Sequence, residues 1–557
     1  MEGRENGPRH KKISCGPFLK TKGWIMRAAR FAPVVVATAM ALVGGSGQEA
    51  AAQEQTAEAL LNARCSACHE RRDDGTLNRI SDARKTPEAW FMTVFRMTNI
   101  HGVQLTDDEQ RTIVKYLSDT QGLAPTEGAD YRYALEKAPG SIDTAPNDTL
   151  FQMCGRCHTF ARVALQRRDK ADWTKLVHFH LGQFPTTEYQ ALGRDRDWFA
   201  IATGDVVDQL SKLFPYETDA WATWKDKPAP DMSGTWRLAG RQPGNGAYEG
   251  HATVAKTGDD TYDVSMSVTF ANGDSLEREG KAILYNGHEW RASFPGDDHV
   301  IRQVFSVSED GAMMNGRWMY RDVEALGGRM TAIRAEGTDP RILNVVPSAL
   351  KQGTTAQIAV NGVGLGETVD LGPGVEIEVL DRSPERMVVK ATVSADAAPG
   401  ARTVVTGDAA ASEGFVVYDR VARLEVEPAE TIARVGGAGG PIPKIPAQFE
   451  AVGYMAGADG EAGTDDDIRI GPMDADWSTE DFDALAAEMK DTRFAGTITP
   501  SGLFEPAGAG PNPERPMDTN NAGNLSVVAT VEDGGEAVTG KAHLFVTVQR
   551  FVTTPMW

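Results

Sequence analysis

The sequence predicts a multidomain chain of the α + all-β class: an α-helical N-terminal domain, then an antiparallel β-barrel, then two immunoglobulin-like β-sandwich domains. Three observations carry this expectation. Apolar residues recur at helical spacing to about residue 225. Composition then changes after Lys225-Asp226-Lys227-Pro228-Ala229-Pro230, beyond which short alternating runs are punctuated by Gly, Asn and Asp. Finally, 557 residues are too many for one hydrophobic core.

The first segment, residues 1–52, reads as a signal peptide. Arg27 and Arg30 precede the apolar run Phe31 to Val43, and Ala50-Ala51-Ala52 then offers an A-x-A cleavage site. The run is too short to span a bilayer, so no membrane span is expected after cleavage. Met26 is the better start for such a signal, and residues 1–25 read as an over-extended start. Export places the mature chain in the bacterial periplasm.

Residues 53–228 form the helical domain, and their chemistry lies in two pentapeptides, Cys65-Ser66-Ala67-Cys68-His69 and Cys154-Gly155-Arg156-Cys157-His158. Two thiols and an adjoining histidine at this spacing are the attachment signature of a c-type haem, with the histidine as the proximal iron ligand. A helix leads into each motif, through Thr56-Ala57-Glu58-Ala59-Leu60-Leu61 and Asp148-Thr149-Leu150-Phe151. Cys-x-x-Cys also serves redox and zinc sites. Two copies with the trailing histidine favour haem, and the reading is a dihaem cytochrome c domain with two covalent haems. The chain has five cysteines; the fifth, Cys15, falls in the signal segment, so no structural disulfide is expected.

Distal ligands follow from an internal comparison. Pro87-Glu88-Ala89-Trp90-Phe91-Met92-Thr93-Val94-Phe95-Arg96-Met97 and Lys170-Ala171-Asp172-Trp173-Thr174-Lys175-Leu176-Val177-His178-Phe179-His180 align on the tryptophan, as a degenerate duplication. Met97 then stands opposite His180, which pairs His69 with Met97 and His158 with His180. Met92, His101 and His178 are near enough in sequence to compete. Thioether ligation raises the potential relative to bis-histidine, so the haems would form an unequal, relay-like pair. After His101, Thr106 would cap a helix running to Leu117, with Glu109 completing a capping box.

Residues 231–338 read as the barrel. It opens at Ser233-Gly234-Thr235-Trp236 and includes strands at Tyr262–Val268 and Met313–Trp318. Residues 339–420 form the first sandwich, with strands at Gln357–Val360 and Met387–Ala391. Residues 421–557 form the second, from Arg423–Val426 to Leu544–Val548. The acidic, glycine-rich stretch Asp459–Asp467 could hold calcium, although its spacing is not that of an EF-hand. His251, His288, His299 and His543 form no spaced cluster, and the β half offers no catalytic constellation. A formal net charge of −21, more negative still without the basic residues 1–52, disfavours nucleic acid and anionic membranes.

The order of parts, with motifs 89 residues apart followed by Ser233-Gly234-Thr235-Trp236 and further β domains, resembles the large α subunit of quinohaemoprotein amine dehydrogenase over essentially the whole mature chain. The resemblance implies an αβγ heterotrimer with a β-propeller subunit and a small γ subunit carrying a cysteine tryptophylquinone. Primary amines would be oxidised to aldehyde and ammonia at that quinone. The haems on Cys65, Cys68, His69, Cys154, Cys157 and His158 would pass electrons to an external blue copper protein or cytochrome c. Two other classes stand beside it: a self-sufficient dihaem peroxidase or oxygenase, and a stand-alone dihaem carrier whose β domains bind a surface.

Overall fold

The computed structural model describes residues 56–549, apart from 185, 193–194 and 438–441. The signal-peptide reading and Cys15 lie outside the described residues. The helical part begins with α1 (Ala57–Cys65), β1 (Ala83–Lys85), α2 (Pro87–Asn99) and α3 (Asp107–Thr120). It continues with α4 (Asp148–Cys154), β2 (Gln166–Arg168), α5 (Lys170–Gln183) and α6 (Val207–Leu213). Thr106 caps α3 and Glu109 closes the capping box. The helix runs three residues past Leu117, to Thr120, and gives way before Gly122. A Cβ at Gly122 would meet Ser118 O at 2.3 Å, so the chain can turn that tightly only with glycine there.

The two halves of this domain repeat one arrangement. β1 and β2 pair antiparallel, with Arg84 opposite Arg167. Each strand feeds a capped helix: Thr86 Oγ1 accepts from Ala89 N, and Asp169 Oδ1 from Asp172 N. In the first half, Trp90 Nε1 and Lys85 N both donate to Gln121 O (3.0 and 2.9 Å). In the second, Trp173 Nε1 and Arg168 N both donate to Phe214 O (3.4 and 3.3 Å). Gln121 follows α3 and Phe214 follows α6, so the closing helices are equivalent as well. Buried residues match at the same spacing, Ile113, Val114 and Leu117 of α3 against Val206, just ahead of α6, and Val207 and Leu210 within it.

Where the halves meet, Glu127 receives both equivalent arginines. Arg84 binds it through two parallel bonds of 2.8 Å, and Arg167 Nε donates to Oε1 at 3.1 Å. Ala124 N (2.7 Å) and Thr218 Oγ1 (3.0 Å) complete the carboxylate. All three charged side chains are buried. Burial alone would raise the Glu127 pKa, but the hydrogen bonds and charges of Arg84 and Arg167 outweigh it and hold the carboxyl below its usual range.

A closed eight-stranded antiparallel barrel follows, formed by β3 (Gly234–Gln242), β4 (Gly246–Gly258), β5 (Thr261–Phe270), β6 (Ser275–Tyr285), β7 (Glu289–Phe294), β8 (Ile301–Val307), β9 (Met313–Tyr320) and β10 (Gly327–Arg334). Alternation sets its inside: Tyr262, Val264, Met266, Val268 and Phe270 of β5 are buried and the residues between are not. Trp236, Trp290 and Trp318 help fill the interior, as an eight-stranded barrel requires. The barrel also floors the helical domain. Tyr285 enters the core of Leu60, Trp90 and Leu117. Arg291 reaches Glu88 on α2 at 2.5 Å, and Glu289 takes Arg132 at 3.0 Å. Burial would raise the Glu289 pKa, but Arg132 and Arg291 hold it well below the carboxylate range.

Two β domains complete the chain. In the first, β11 (Arg341–Val346), β13 (Thr355–Val363), β15 (Arg386–Val393) and β14 (Val375–Arg382) form one sheet. The facing sheet holds β12 (Ala349–Lys351), β17 (Ala409–Tyr418) and β16 (Gly400–Thr406). Val360 and Val389 from one sheet pack with Val404 and Phe415 from the other, a sandwich core. The last domain holds β18 (Arg423–Glu427), β19 (Glu430–Arg434), β20 (Ala447–Gln448), β21 (Glu450–Met455), β22 (Ile468–Met473) and β23 (Asp476–Asp481). It ends with β24 (Gly496–Ile498), β25 (Leu503–Pro506), β26 (Gly523–Asp533) and β27 (Glu536–Thr547). Two short helices, α7 (Ala484–Met489) and α8 (Asp491–Phe494), interrupt the strands. The all-β reading passed over them although Asp483 caps an alanine-rich start.

The Glu127 cluster makes a stability prediction. Glu127→Ala leaves two buried arginines without their anion and should cost about 3–5 kcal/mol, read as a lowered thermal midpoint at neutral pH. Because the folded pKa is depressed, the contribution is complete above the unfolded value of about 4.3 and is lost as pH falls through the folded one. Glu127→Gln should therefore flatten the acid limb of a stability–pH profile. An unchanged midpoint would show that the cluster does not hold the halves together.

Candidate functional site

Both pentapeptides sit where a helix ends. α1 stops at Cys65, and His69 N donates back to Cys65 O at 3.0 Å, folding the motif into a tight turn. α4 stops at Cys154, where Gly155 N donates to Phe151 O at 2.8 Å. Burial, with Cys68 nearby, pushes the Cys65 thiol up to about 11, and burial pushes Cys154 up to about 12. A redox-active Cys-x-x-Cys pair needs a lowered thiol pKa, so the environment is the opposite of a thioredoxin-type site.

Three histidines are oriented for ligation in the same way. Nδ1 of His69 lies 3.0 Å from Asn78 O, that of His158 3.0 Å from Thr159 O, and that of His180 2.7 Å from Leu176 O. A carbonyl accepts only from a protonated Nδ1, which leaves the Nε2 lone pair of each ring for a metal. Burial lowers the pKa of both His158 and His180, and Arg162 adds to it, which favours the neutral ring that ligation needs.

His158 and His180 line one cavity of about 470 Å³, with Cys154 and Cys157 also on its wall. Trp173, Leu176, Val177 and Leu210 give it apolar sides. His178 is not among the lining residues and packs edge-on against Phe199 at 5.1 Å. The opposite wall comes from the first half of the domain: Glu88, Ala89, Met92, Thr93 and Arg96, one face of α2. Burial lowers the Arg96 pKa to about 10, with Arg162 and Arg168 adding to the effect.

That assignment of faces separates the candidates near the first motif. Trp90 and Val94 are buried with Leu60, Leu61 and Ile113, and Met97 is half-buried one turn further along the same face. Met92 points the other way, into the second cavity. His101 is exposed beyond the end of α2. The second cavity thus brings His158, His180, Cys154 and Cys157 together within apolar walls, surroundings that suit a haem.

Four family models tile the chain. The one described as quinohemoprotein amine dehydrogenase A, alpha subunit, haem binding matches residues 55–221. Those of alpha subunit domains II, III and IV match 229–335, 339–419 and 424–556. The chain belongs to the quinohemoprotein amine dehydrogenase alpha subunit family. It is therefore a haem-binding subunit of a multi-subunit oxidoreductase acting on amines. Among curated proteins none matches it. Solved structures similar to parts of this alpha subunit include a redesigned β-barrel, mFAP1, bound to DFHBI (15% identity, 18% of this chain and 94% of that one, TM-score 0.16). Another is mouse clustered PcdhgC3 EC1-3 (10% identity, 44% and 85%, TM-score 0.16). A third is Bacteroides ovatus SGBP-B in complex with a mixed-linkage heptasaccharide (10% identity, 56% and 60%, TM-score 0.18). At such scores they carry no argument about this chain.

Sequence reasoning missed that α2 of the first unit walls the second cavity. The signal was present in the spacing of residues 88, 89, 92, 93 and 96, a second helical face beside the Trp90 stripe. In the acidic stretch Asp459–Asp467, Asp467 Oδ2 accepts from Gly463 N and Arg423 Nε, both at 2.9 Å, and Asp459 accepts from Glu461 N at 2.8 Å. Among the described residues no group of three or more His, Cys, Asp or Glu is placed to hold a metal ion.

Ligand assignment can be read by electron paramagnetic resonance of the ferric protein. His180→Leu and Met97→Leu should each turn one haem high-spin, while His178→Leu and Met92→Leu leave both low-spin. A high-spin signal from His178→Leu with none from His180→Leu would reverse the second assignment.

Proposed function

We propose that this chain is the electron-transfer subunit of a periplasmic amine dehydrogenase, joining a quinone on a partner subunit to an external acceptor. Cys65 and Cys68 hold one haem c covalently and Cys154 and Cys157 the other. His69 with Met97, and His158 with His180, provide the axial donors. Bound there, haem supplies a one-electron couple, which suits a chain that accepts and releases electrons singly.

The observation that carries this reading is the cavity between His158 and His180, with both thiols of the second motif on its wall. The residues of this chain do three things at that site. Backbone carbonyls of Thr159 and Leu176 fix the two imidazoles in one tautomer. Trp173, Leu176 and Val177 give the cavity an apolar wall. The floor of barrel strands keeps α2 in register through Glu88 and Arg291.

Substrate chemistry belongs to another subunit on this reading. The four histidines of the β half are engaged locally, His251 with Glu385, His288 with Asn286 O, His299 with Asp322 and His543 with Asn524. A small γ subunit with a cysteine tryptophylquinone would oxidise primary amines to aldehyde and ammonia. A β-propeller subunit would complete the αβγ heterotrimer, and a blue copper protein or cytochrome c would take the electrons. No described helix is long and apolar enough to cross a membrane.

Purification from the native host with subunit mass spectrometry should recover a quinone-bearing small chain and a haem mass at each of the two motifs. Adding a primary amine should reduce the haems of the complex within mixing, and leave those of the isolated α chain oxidised. A resting high-spin haem that turns over peroxide without partners would replace this reading with a peroxidase.

A further inference from the structure

The second cavity has too much positive charge for its own acids. Lys85, Arg96, Arg156, Arg162 and Arg168 line it with a single carboxylate, Glu88. Glu88 is drawn to Arg291 of the barrel at 2.5 Å. Arg168 pairs with buried Asp172, and Arg156 with Asp195 at 3.4 Å. Among the described residues Lys85, Arg96 and Arg162 make no ion pair; the acid whose charge acts on Lys85, Asp172, is already bound to Arg168.

Their surroundings are those of cations held for something. Lys85 is 6% exposed; its Nζ has only Thr93 Oγ1 at 3.0 Å and the Trp90 ring at 4.4 Å. Arg96 offers Nη2 to Thr93 Oγ1 at 3.5 Å, lies 5.1 Å from the Phe179 ring, and its buried Nε has no partner. Arg162 stands at the exposed rim. Burying cations without an ion pair, as at Lys85 and Arg96, is costly, and in a chain of net charge −21 acids to pair them were not scarce.

The internal repeat supplies a control. Lys85 and Arg168 occupy equivalent places, each donating its backbone N–H to the carbonyl that also receives the neighbouring tryptophan. Four residues on from Arg168 stands its partner Asp172, whereas the equivalent position four residues on from Lys85 is Ala89. Ala89 itself lines the cavity. The acid is missing on the side that faces the space.

We propose that Lys85, Arg96 and Arg162 receive the two carboxylates of the haem held between His158 and His180 and raise its reduction potential. This rests on the reading that the cavity holds a haem. Arginine and lysine make strong charge-assisted bonds to carboxylates, and through Lys85 of β1 and Arg96 of α2 these tie the macrocycle to the other unit. Cations near the iron favour the ferrous state, which carries one positive charge less. Bis-histidine ligation lowers the potential relative to Met/His, so the cations act against the ligand set and narrow the gap between the two haems.

Spectroelectrochemical titration of the intact complex tests this, because it resolves the two haems separately. Lys85→Met and Arg96→Met should each move the second haem to lower potential, the double variant further, with the first haem shifting less. Arg96→Lys should recover most of the loss. Ala89→Asp keeps every cation but gives Lys85 a partner of its own, and should also lower the second potential; it serves if a methionine variant does not mature. Haem content and the low-spin resonance are followed throughout, since a merely structural role would change those and not the potential alone. A second potential that stays in place across these variants, with both haems bound, overturns the proposal. A single haem per chain in the unsubstituted protein would instead overturn the reading beneath it.

Discussion

Much of the helical domain depends on one buried carboxylate. Glu127 is the common partner of Arg84 and Arg167, residues that stand opposite each other on the paired strands and are equivalent in the repeat. A symmetric junction of two such units brings like charges together. A single anion on the junction removes the repulsion and supplies acceptors to both forks, which a hydrophobic contact at the same place would not do. Position follows from this: β1 and β2 launch α2 and α5, so the register of those strands sets where Met97 and His180 come to lie.

The barrel contributes a rigid base. Its outer residues Glu289, Arg291 and Tyr285 reach into the helical domain, and Asn286 N donates to Asp119 at 2.8 Å while its side chain donates to Leu123 O at 2.6 Å. Buried ion pairs of this kind add little net stability beside an apolar contact, but they tolerate only one geometry. A redox subunit benefits from that trade, since small displacements of axial donors alter the couple.

A good part of this was legible in the sequence. The pentapeptides, the Thr106 capping box, and the strands from Gly234 onward are local patterns, and local patterns survive in a linear reading. Trp90 and Trp173, aligned in the sequence, are structurally equivalent, because both indoles make the same bond to the carbonyl that follows the closing helix. What stayed hidden was tertiary. Ala83-Arg84-Lys85 has the composition of a surface turn, yet all three residues are buried, and only the pairing with β2 explains it. Glu127, two residues after Pro125, reads as an ordinary first-turn acid of a short helix. The second face of α2 could not be assigned without knowing that another unit packs there.

That shared helix also makes the two halves unequal. α2 is made before the second Cys-x-x-Cys-His emerges, and it furnishes a wall of the space in which that motif ends up. The later site is therefore incomplete as a local unit; residues 148–213 alone would present half a crevice, with Met92, Thr93 and Arg96 absent. Splitting the domain between its repeats would leave the C-terminal piece without a closed pocket, whereas the N-terminal piece keeps the face that carries Trp90, Val94 and Met97. The two similar halves are thus not interchangeable: the first provides a wall of the second's site.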